Sequence, residues 1–504
     1  MGHRPDGSFT LGWVEALDNA TNDSETWIRH FDSSGAPLGL AIAISQPPDV
    51  MGIDLAADSL GNDLVVVRAR IPSGPLNFHD EVRAVALSSS GAALWPGVLL
   101  AATAEQWDFV ADVDVVPAPG GGWIVVWEEY HHNGSPQFRV RSRHVALATG
   151  EATPPVELAG TEGLLREQLA LATDGVQAVA VWREQQPGPN EVRLVGRTLD
   201  GSGAPEAPLV DLATLVGVEP PVASLDVDAW GAGRYFLTWS QIVGAGDVQV
   251  RGVAFSPGFP ADPPVELARH PGYESEYGSA VAVDRRGRAL VGWYETPVDA
   301  PVPSAMVRQE RSVTGGALSE PVPIATLDSE VRGFTSSITP GGSWVIAWPK
   351  TRNALGFDVV GIDAELGATH GGCEPSDGSL CLAGARFLAT ATYHDHLGRD
   401  GVGHAVVLTP ESGTFWFFTP ASVELILKVV DACGHPDFHD FWVYASGLTD
   451  VEVTLTVVDT WTGEIWERET VLGEPFPPIL DSQAFHTCNA VPIVGPMSQV
   501  DFGR

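Results

Sequence analysis

Along residues 1–367 the apolar side chains fall in short runs, each bounded by glycine, proline, aspartate or serine. Within the runs the pattern alternates. Val248-Gln-Val-Arg-Gly-Val-Ala-Phe255 puts most of its apolar side chains on one face, the two-residue period of a half-buried antiparallel strand. Many runs close on a tryptophan, as in Trp123-Ile-Val-Val-Trp127, Ala178-Val-Ala-Val-Trp182 and Trp344-Val-Ile-Ala-Trp348. The markers are Trp13, Trp127, Trp182, Trp239, Trp293 and Trp348, and the last four intervals are 55, 57, 54 and 55 residues. The first gap, 114, holds two periods with Val67 in the middle slot. A fixed period of this length built from strand-like runs predicts a repeat architecture.

One period reads as four strands: Ala223–Asp228, Arg234–Gln241 with the marker near its end, Val248–Phe255 and Pro264–Ala268. Four antiparallel strands repeated radially make a β-propeller, which protects its sheet edges by closing the ring. A solenoid, with shorter parallel repeats, fits less well. The fold class is therefore all-β: a seven-bladed propeller, with six or eight blades as alternatives, followed by a C-terminal β-sandwich. The first period begins at its second strand, near Ser8, and the last, ending at Asp358–Ile362, lacks its fourth. The expectation is that the two missing strands, with a signal peptide, precede Met1. The implied domains are 1–367 for the propeller, 368–382 for a turn-rich linker, 383–490 for the sandwich and 491–504 for a tail. Short strands between Ala385 and Val471, separated by turns, carry the sandwich reading.

Turn lengths are unequal. The first-to-second strand turns (Asp6-Gly7, Gly120-Gly-Gly122, Asp174-Gly175) and third-to-fourth turns (Asp32-Ser-Ser-Gly35, Asp200-Gly-Ser-Gly203) are short and glycine-rich. The second-to-third and fourth-to-first connections, among them Leu17–Ser24, Arg70–Asp80, Tyr130–Pro136 and Arg269–Tyr277, read as longer, varied loops. These emerge on one face of a propeller, and variable loops on a rigid scaffold are where binding residues usually sit. This predicted face is acidic. Its candidate ligand contacts are Asp18, Asp23, Asp80, Glu105, Glu162, Glu274, Glu276 and Asp328, with Glu25, Glu81 and Asp108 beside them. The competing reading is a solvated acidic surface that maintains solubility.

Charge supports that picture: 64 Asp and Glu against 28 Lys and Arg give a formal net charge of −36. Nucleic acid and anionic membranes are excluded as partners by repulsion. Cations, basic ligands, or carbohydrate with a bridging calcium suit the face better, so Ca2+ is admissible and no cofactor is required. No apolar stretch is long enough to span a bilayer. The four cysteines, Cys373, Cys381, Cys433 and Cys488, lack Cys-x-x-Cys spacing and read as two disulfides. Of three possible pairings, Cys373–Cys381 and Cys433–Cys488 is the expected one, and it places the chain in an oxidising, extracellular or cell-surface setting.

Candidate chemistry is sparse. An acid stands two residues after four markers (Glu15, Glu129, Glu184, Glu295), with Gln241 and Lys350 in two other periods. Such acids could supply a glycosidase pair. Recurrence in four periods, opposite arginines of the third strand (Arg29, Arg83, Arg141, Arg193, Arg251, Arg308), instead predicts cross-strand ion pairs. His394 and His396, with His435 and His439, would form a metal site only if their two loops met. Tyr130-His131-His132-Asn133 is a loop cluster of the same kind. No nucleophile elbow, P-loop or dinucleotide fingerprint occurs, so no catalytic residue is assigned.

The second part of the chain carries a resemblance. Gly413-Thr-Phe-Trp-Phe-Phe418, Val423-Glu-Leu-Ile-Leu-Lys-Val-Val-Asp431, Gly447-Leu-Thr-Asp-Val451 and Asp481-Ser-Gln-Ala-Phe485 resemble a β-sandwich module found at the C-termini of bacterial secreted proteins. The propeller half resembles, more loosely, the Trp-marked repeats of bacterial extracellular proteins. The resemblance implies a bacterial exported protein and assigns no functional residue. Two functions follow as expectations. One is a secreted or surface-associated binding protein that holds carbohydrate or protein on the acidic loop face. The alternative is a propeller hydrolase or lyase acting on polysaccharide through carboxylates of that face.

Overall fold

A computed structural model describes all residues outside 5–6, 19–22, 34, 45–48, 75–76, 104–107, 133–136, 161–164, 186–190, 217–223, 232, 245–246, 259–260, 272–278, 285–286, 296–303, 328–333, 340–342, 355–356, 369–372, 374–375, 384–385, 410, 434–438, 461, 463, 489–497 and 502–504. Among the described residues the regular structure is all β, in seven four-stranded and two five-stranded antiparallel sheets. None of them belongs to a helix long and apolar enough to cross a membrane. The alternating runs become the strands. Tyr235–Gly244, for example, pairs with Ser224–Ala229 on one side and Asp247–Phe255 on the other. Short turns depend on glycine where the backbone must turn left-handed. Gly122 has φ 80°, and a Cβ there would collide with the Val145 carbonyl.

The seven four-stranded sheets pack in a closed cycle. Seven apolar clusters each join one sheet to the next, and the last joins Val345, Ala347, Ala364 and Leu366 to Phe9, Leu11 and Phe31 of the first sheet. The inner strands follow the same cycle. Gly2–His3, Asp49–Ala57, Phe109–Pro117, Leu165–Thr173, Ser224–Ala229, Ser279–Val283 and Thr335–Ile338 each touch the next, and the last touches the first. This is a β-propeller, its inner strands ranged around one axis. Trp127, Trp182, Trp239, Trp293 and Trp348 are buried against the preceding sheet. Trp13 is only half-buried.

Both sheets expected to be incomplete are completed. Gly2–His3 pairs with Phe9–Thr10 and supplies the first sheet's inner strand. Ser498–Asp501, within the segment read as a tail, pairs with Asp363–Leu366 and supplies the outer strand of the seventh. The ring is thus closed by segments from both ends of the chain rather than by strands upstream of Met1. The chain divides into Met1–Gly367 with Met497–Arg504, and Ala368–Pro496. The second unit is a two-sheet sandwich around Leu380, Phe387, Phe415, Leu427, Val443, Leu455 and Phe485. Its strand Ser379–Leu382 lies in the stretch read as linker. Both disulfides occur in this unit with the expected pairing, Cys373–Cys381 and Cys433–Cys488, at Cα separations of 5.5 and 5.4 Å.

Candidate functional site

The acids that follow the marker tryptophans are held first by the tryptophans themselves. The indole N–H donates to the side chain two residues on: Trp127 to Glu129 (2.6 Å), Trp182 to Glu184 (3.2 Å), Trp239 to Gln241 (2.9 Å) and Trp293 to Glu295 (3.0 Å). Residues i and i+2 share a strand face, and a buried indole needs an acceptor. This revises the expected cross-strand pairing. Glu129 also meets Arg141 at 3.4 Å and Glu184 stands directly opposite Arg193, whose charge it favours, while the third-strand arginines have further partners. Arg193 bonds Asp211, Arg251 donates to the Pro264 carbonyl, and Arg308 forms a buried pair with Glu365 of the seventh sheet at 2.8 Å.

A second acidic set, which sequence reading missed, lines the axis. Asp54, Asp112, Asp114, Asp226 and Asp228 stand on inner strands and reach across to backbone N–H groups of the following inner strand. Val115 donates to Asp54 (2.8 Å), Leu171 to Asp114 (2.7 Å), Val281 to Asp226 (2.7 Å) and Val283 to Asp228 (2.7 Å). Each is partly buried. Burial pushes Asp112 up to about 6, and Asp226 and Asp228 up to about 7. Asp114 is also raised well above the carboxylate range, by burial first and then by Asp54, with which it shares a hydrogen bond. The available signal was the Asp-x-Asp spacing of Asp112-Val-Asp114 and Asp226-Val-Asp228 on a first strand. These acids latch sheet to sheet.

The third sheet departs from the repeat at its loop end. Asp108 Oδ2 lies 2.9 Å from His131 Nδ1, and His131 Nε2 lies 2.9 Å from Glu129 Oε2. One imidazole therefore links two carboxylates, each only 5 % exposed, and Asp108 also accepts the His132 amide at 2.8 Å. On the opposite face of the same strands, Phe109, Tyr130 and Phe138 sit directly across from one another. Their ring centroids are 4.8 and 4.7 Å apart, and the Tyr130 hydroxyl lies 3.1 Å from His132 Nδ1. No other period has an aromatic three residues after its marker slot or a histidine four after it. The outcome is a rim with a charged side and an aromatic side.

Of the eight predicted contacts, Asp18, Asp23 and Asp80 are among the described residues. Asp18 and Asp23 are opposite each other at the end of the first sheet's hairpin. Asp80 is not a loop residue: strands Asp63–Gly74 and Asn77–Leu87 continue through the stretch read as a loop. It is 1 % exposed, bonded to Arg70 (3.0 Å) and to the Val110 amide (3.1 Å). Glu105, Glu162, Glu274, Glu276 and Asp328 lie outside the described residues, as does His435. His394 meets Asp400 (2.8 Å), His396 meets Asp450 (3.3 Å), and His439 Nδ1 lies 3.2 Å from the Cys433 carbonyl. Among the described residues no group of three or more His, Cys, Asp or Glu side chains is arranged to hold a metal ion.

No family model matches the chain, and no curated protein matches it. Among solved structures, the chain is similar to an α-L-arabinanase from Penicillium chrysogenum complexed with arabinobiose: 13 % identity, 56 % of this chain and 88 % of that one, TM-score 0.35. An α-L-arabinofuranosidase from Fusarium graminearum is 12 % identical over 62 % of this chain and 92 % of its own, with TM-score 0.41. AofleA from Arthrobotrys oligospora is 12 % identical over 62 % and 81 %, with TM-score 0.40. Likenesses of this order carry no statement about substrate or activity.

Proposed function

We propose that the chain is a bacterial exported binding protein whose propeller presents a carbohydrate or protein ligand site on its loop face, centred on the rim of the third sheet. The observation that carries this reading is the pattern break at Asp108, Glu129, Tyr130 and His131, where a partly exposed aromatic row adjoins a charged edge. Aromatic faces pack against the apolar faces of sugars or side chains, while Arg141 offers donors to hydroxyls and His131 holds the carboxylates of the charged edge in place. Two disulfides support the exported setting.

The hydrolase alternative finds less support. A glycosidase leaves room between its carboxyl groups for water or the sugar. Between Asp108 and Glu129 that space is filled by the His131 ring, and Asp54 and Asp114 stand within hydrogen-bonding reach of each other. Glycan-array and pull-down binding, run beside a reducing-end release assay, tests the reading. Saturable binding lost in Tyr130→Ala and His131→Ala, with no sugar released, is expected. Turnover that survives both substitutions would overturn it.

A further inference from the structure

The sandwich unit contains a cleft of about 570 Å³, apart from the propeller rim. Its walls include Leu397, Leu448 and Phe418, which are 76 %, 82 % and 45 % exposed although apolar. Among its lining residues is Glu424, only 7 % exposed, a carboxylate largely withdrawn from water. The backbone fixes its place. The Glu424 amide donates to the Phe415 carbonyl (2.9 Å), and its own carbonyl accepts from the Leu448 amide (2.8 Å). The Ser422 hydroxyl donates to Oε1 at 2.8 Å.

The other charges of the cleft are satisfied in pairs. Asp395 takes the Arg399 guanidinium (Nε at 2.7 Å) together with the amides of Leu397 and Arg399. His396 meets Asp450 at 3.3 Å. Glu424 is the remaining charge, and among the described residues its carboxylate meets only the Ser422 hydroxyl, so the cleft carries an excess negative charge beside its apolar side chains. A buried carboxylate with a single neutral donor is costly unless a cation completes it. An anion would be repelled.

We propose that this cleft binds the side chain of a lysine or arginine from a peptide or protein partner, the charged head meeting Glu424 and the alkyl stem lying on Leu397, Leu448 and Phe418. Long basic side chains combine these two characters, and an aromatic ring adds a cation–π contact. The inference is independent of the propeller reading.

The test is methyl NMR on the full chain, titrating N-acetyl-lysine and N-acetyl-arginine methylamides against the neutral N-acetyl-norleucine methylamide, which keeps the alkyl stem and lacks the charged head. Saturable shifts at the Leu397, Leu448 and Val451 methyls are expected with the two cations. A charge-assisted hydrogen bond predicts about tenfold or greater weakening for norleucine and for Glu424→Gln. Leu448→Ser, at an exposed wall, should weaken binding severalfold with the rest of the spectrum unchanged, which covers the case in which Glu424→Gln fails to fold. Equal binding of norleucine, undiminished binding by a folded Glu424→Gln, no effect of Leu448→Ser, or no shifts at these methyls would each overturn the proposal.

Discussion

The axial aspartates make the propeller's stability depend on pH in an unusual direction, and Asp226 tests it cleanly. Its carboxylate accepts from Val281 of the next inner strand at 2.7 Å and from its own neighbour Val227 at 2.9 Å. Burial first, and then the Asp228 and Asp54 charges, raise it to about 7 against 3.8 for the free side chain. A group whose folded value is raised binds more protons in the folded state. Its stabilisation is complete below pH 3.8 and is lost as pH rises through 7. The difference of 7 − 3.8 is about three units, which at 1.36 kcal/mol each is about 4 kcal/mol across that window. Asp226→Asn cannot ionise. It keeps one amide oxygen for Val281 and gives up a second acceptor, a loss of about 1 kcal/mol. The variant should therefore be about 1 kcal/mol less stable than wild type near pH 4 and about 3 kcal/mol more stable near pH 8.5, so the two curves cross. Urea unfolding followed by tryptophan fluorescence measures this across the pH range, and subtracting the two proteins cancels groups that titrate alike in both. Parallel curves, or a variant less stable at every pH, would refute the argument.

Three further outcomes follow from named contacts. Glu365→Leu takes its carboxylate partner from the Arg308 guanidinium, which is 1 % exposed between the sixth and seventh sheets, and should cost about 3 kcal/mol, whereas replacing both residues by apolar ones should cost less; urea midpoints of the single and double variants decide. Deleting residues 497–504 removes the outer strand from the seventh sheet and bares the edge of Phe357–Ala368, so the shortened chain should aggregate at concentrations where the full chain stays monodisperse by light scattering. Cys433→Ser with Cys488→Ser opens a 55-residue loop and should destabilise the sandwich by about 4 kcal/mol, read from its thermal transition, and reducing agent should then lower the variant's transition less than the wild type's, because only Cys373–Cys381 remains to be reduced.

How much could be read beforehand depended on whether a feature was local. Tryptophan markers, glycine turns and alternating strands are written within a few residues of one another, because antiparallel hairpins are built from neighbours in sequence. The closing strands are not. Gly2–His3 has two residues and no period to detect, and Ser498–Asp501 finds its partner, Asp363–Leu366, only after the whole sandwich has intervened. The marker acids show a subtler failure. Opposite-charge pairing across the hairpin was a sound local rule, but a buried indole N–H stands on the same face two residues away and claims the carboxylate first.

The axial acids fail for the opposite reason. Asp226-Val-Asp228 has the alternation of a strand with one wet face, and nothing local distinguishes a face in open solvent from one turned inward by ring closure. Closure places the carboxylates against the next sheet's amides and removes most of their water, so their chemistry belongs to the ring rather than to any one blade. The third-sheet rim lies between these cases. His131 and Tyr130 were visible as a cluster, but their meaning depended on Asp108, whose carboxylate arrives from the residue just before the neighbouring inner strand. A repeat protein hides its working residues less by distance than by sameness. Once the shared marker chemistry is accounted for, the slot that differs, four residues after Trp127, is where a binding experiment should begin.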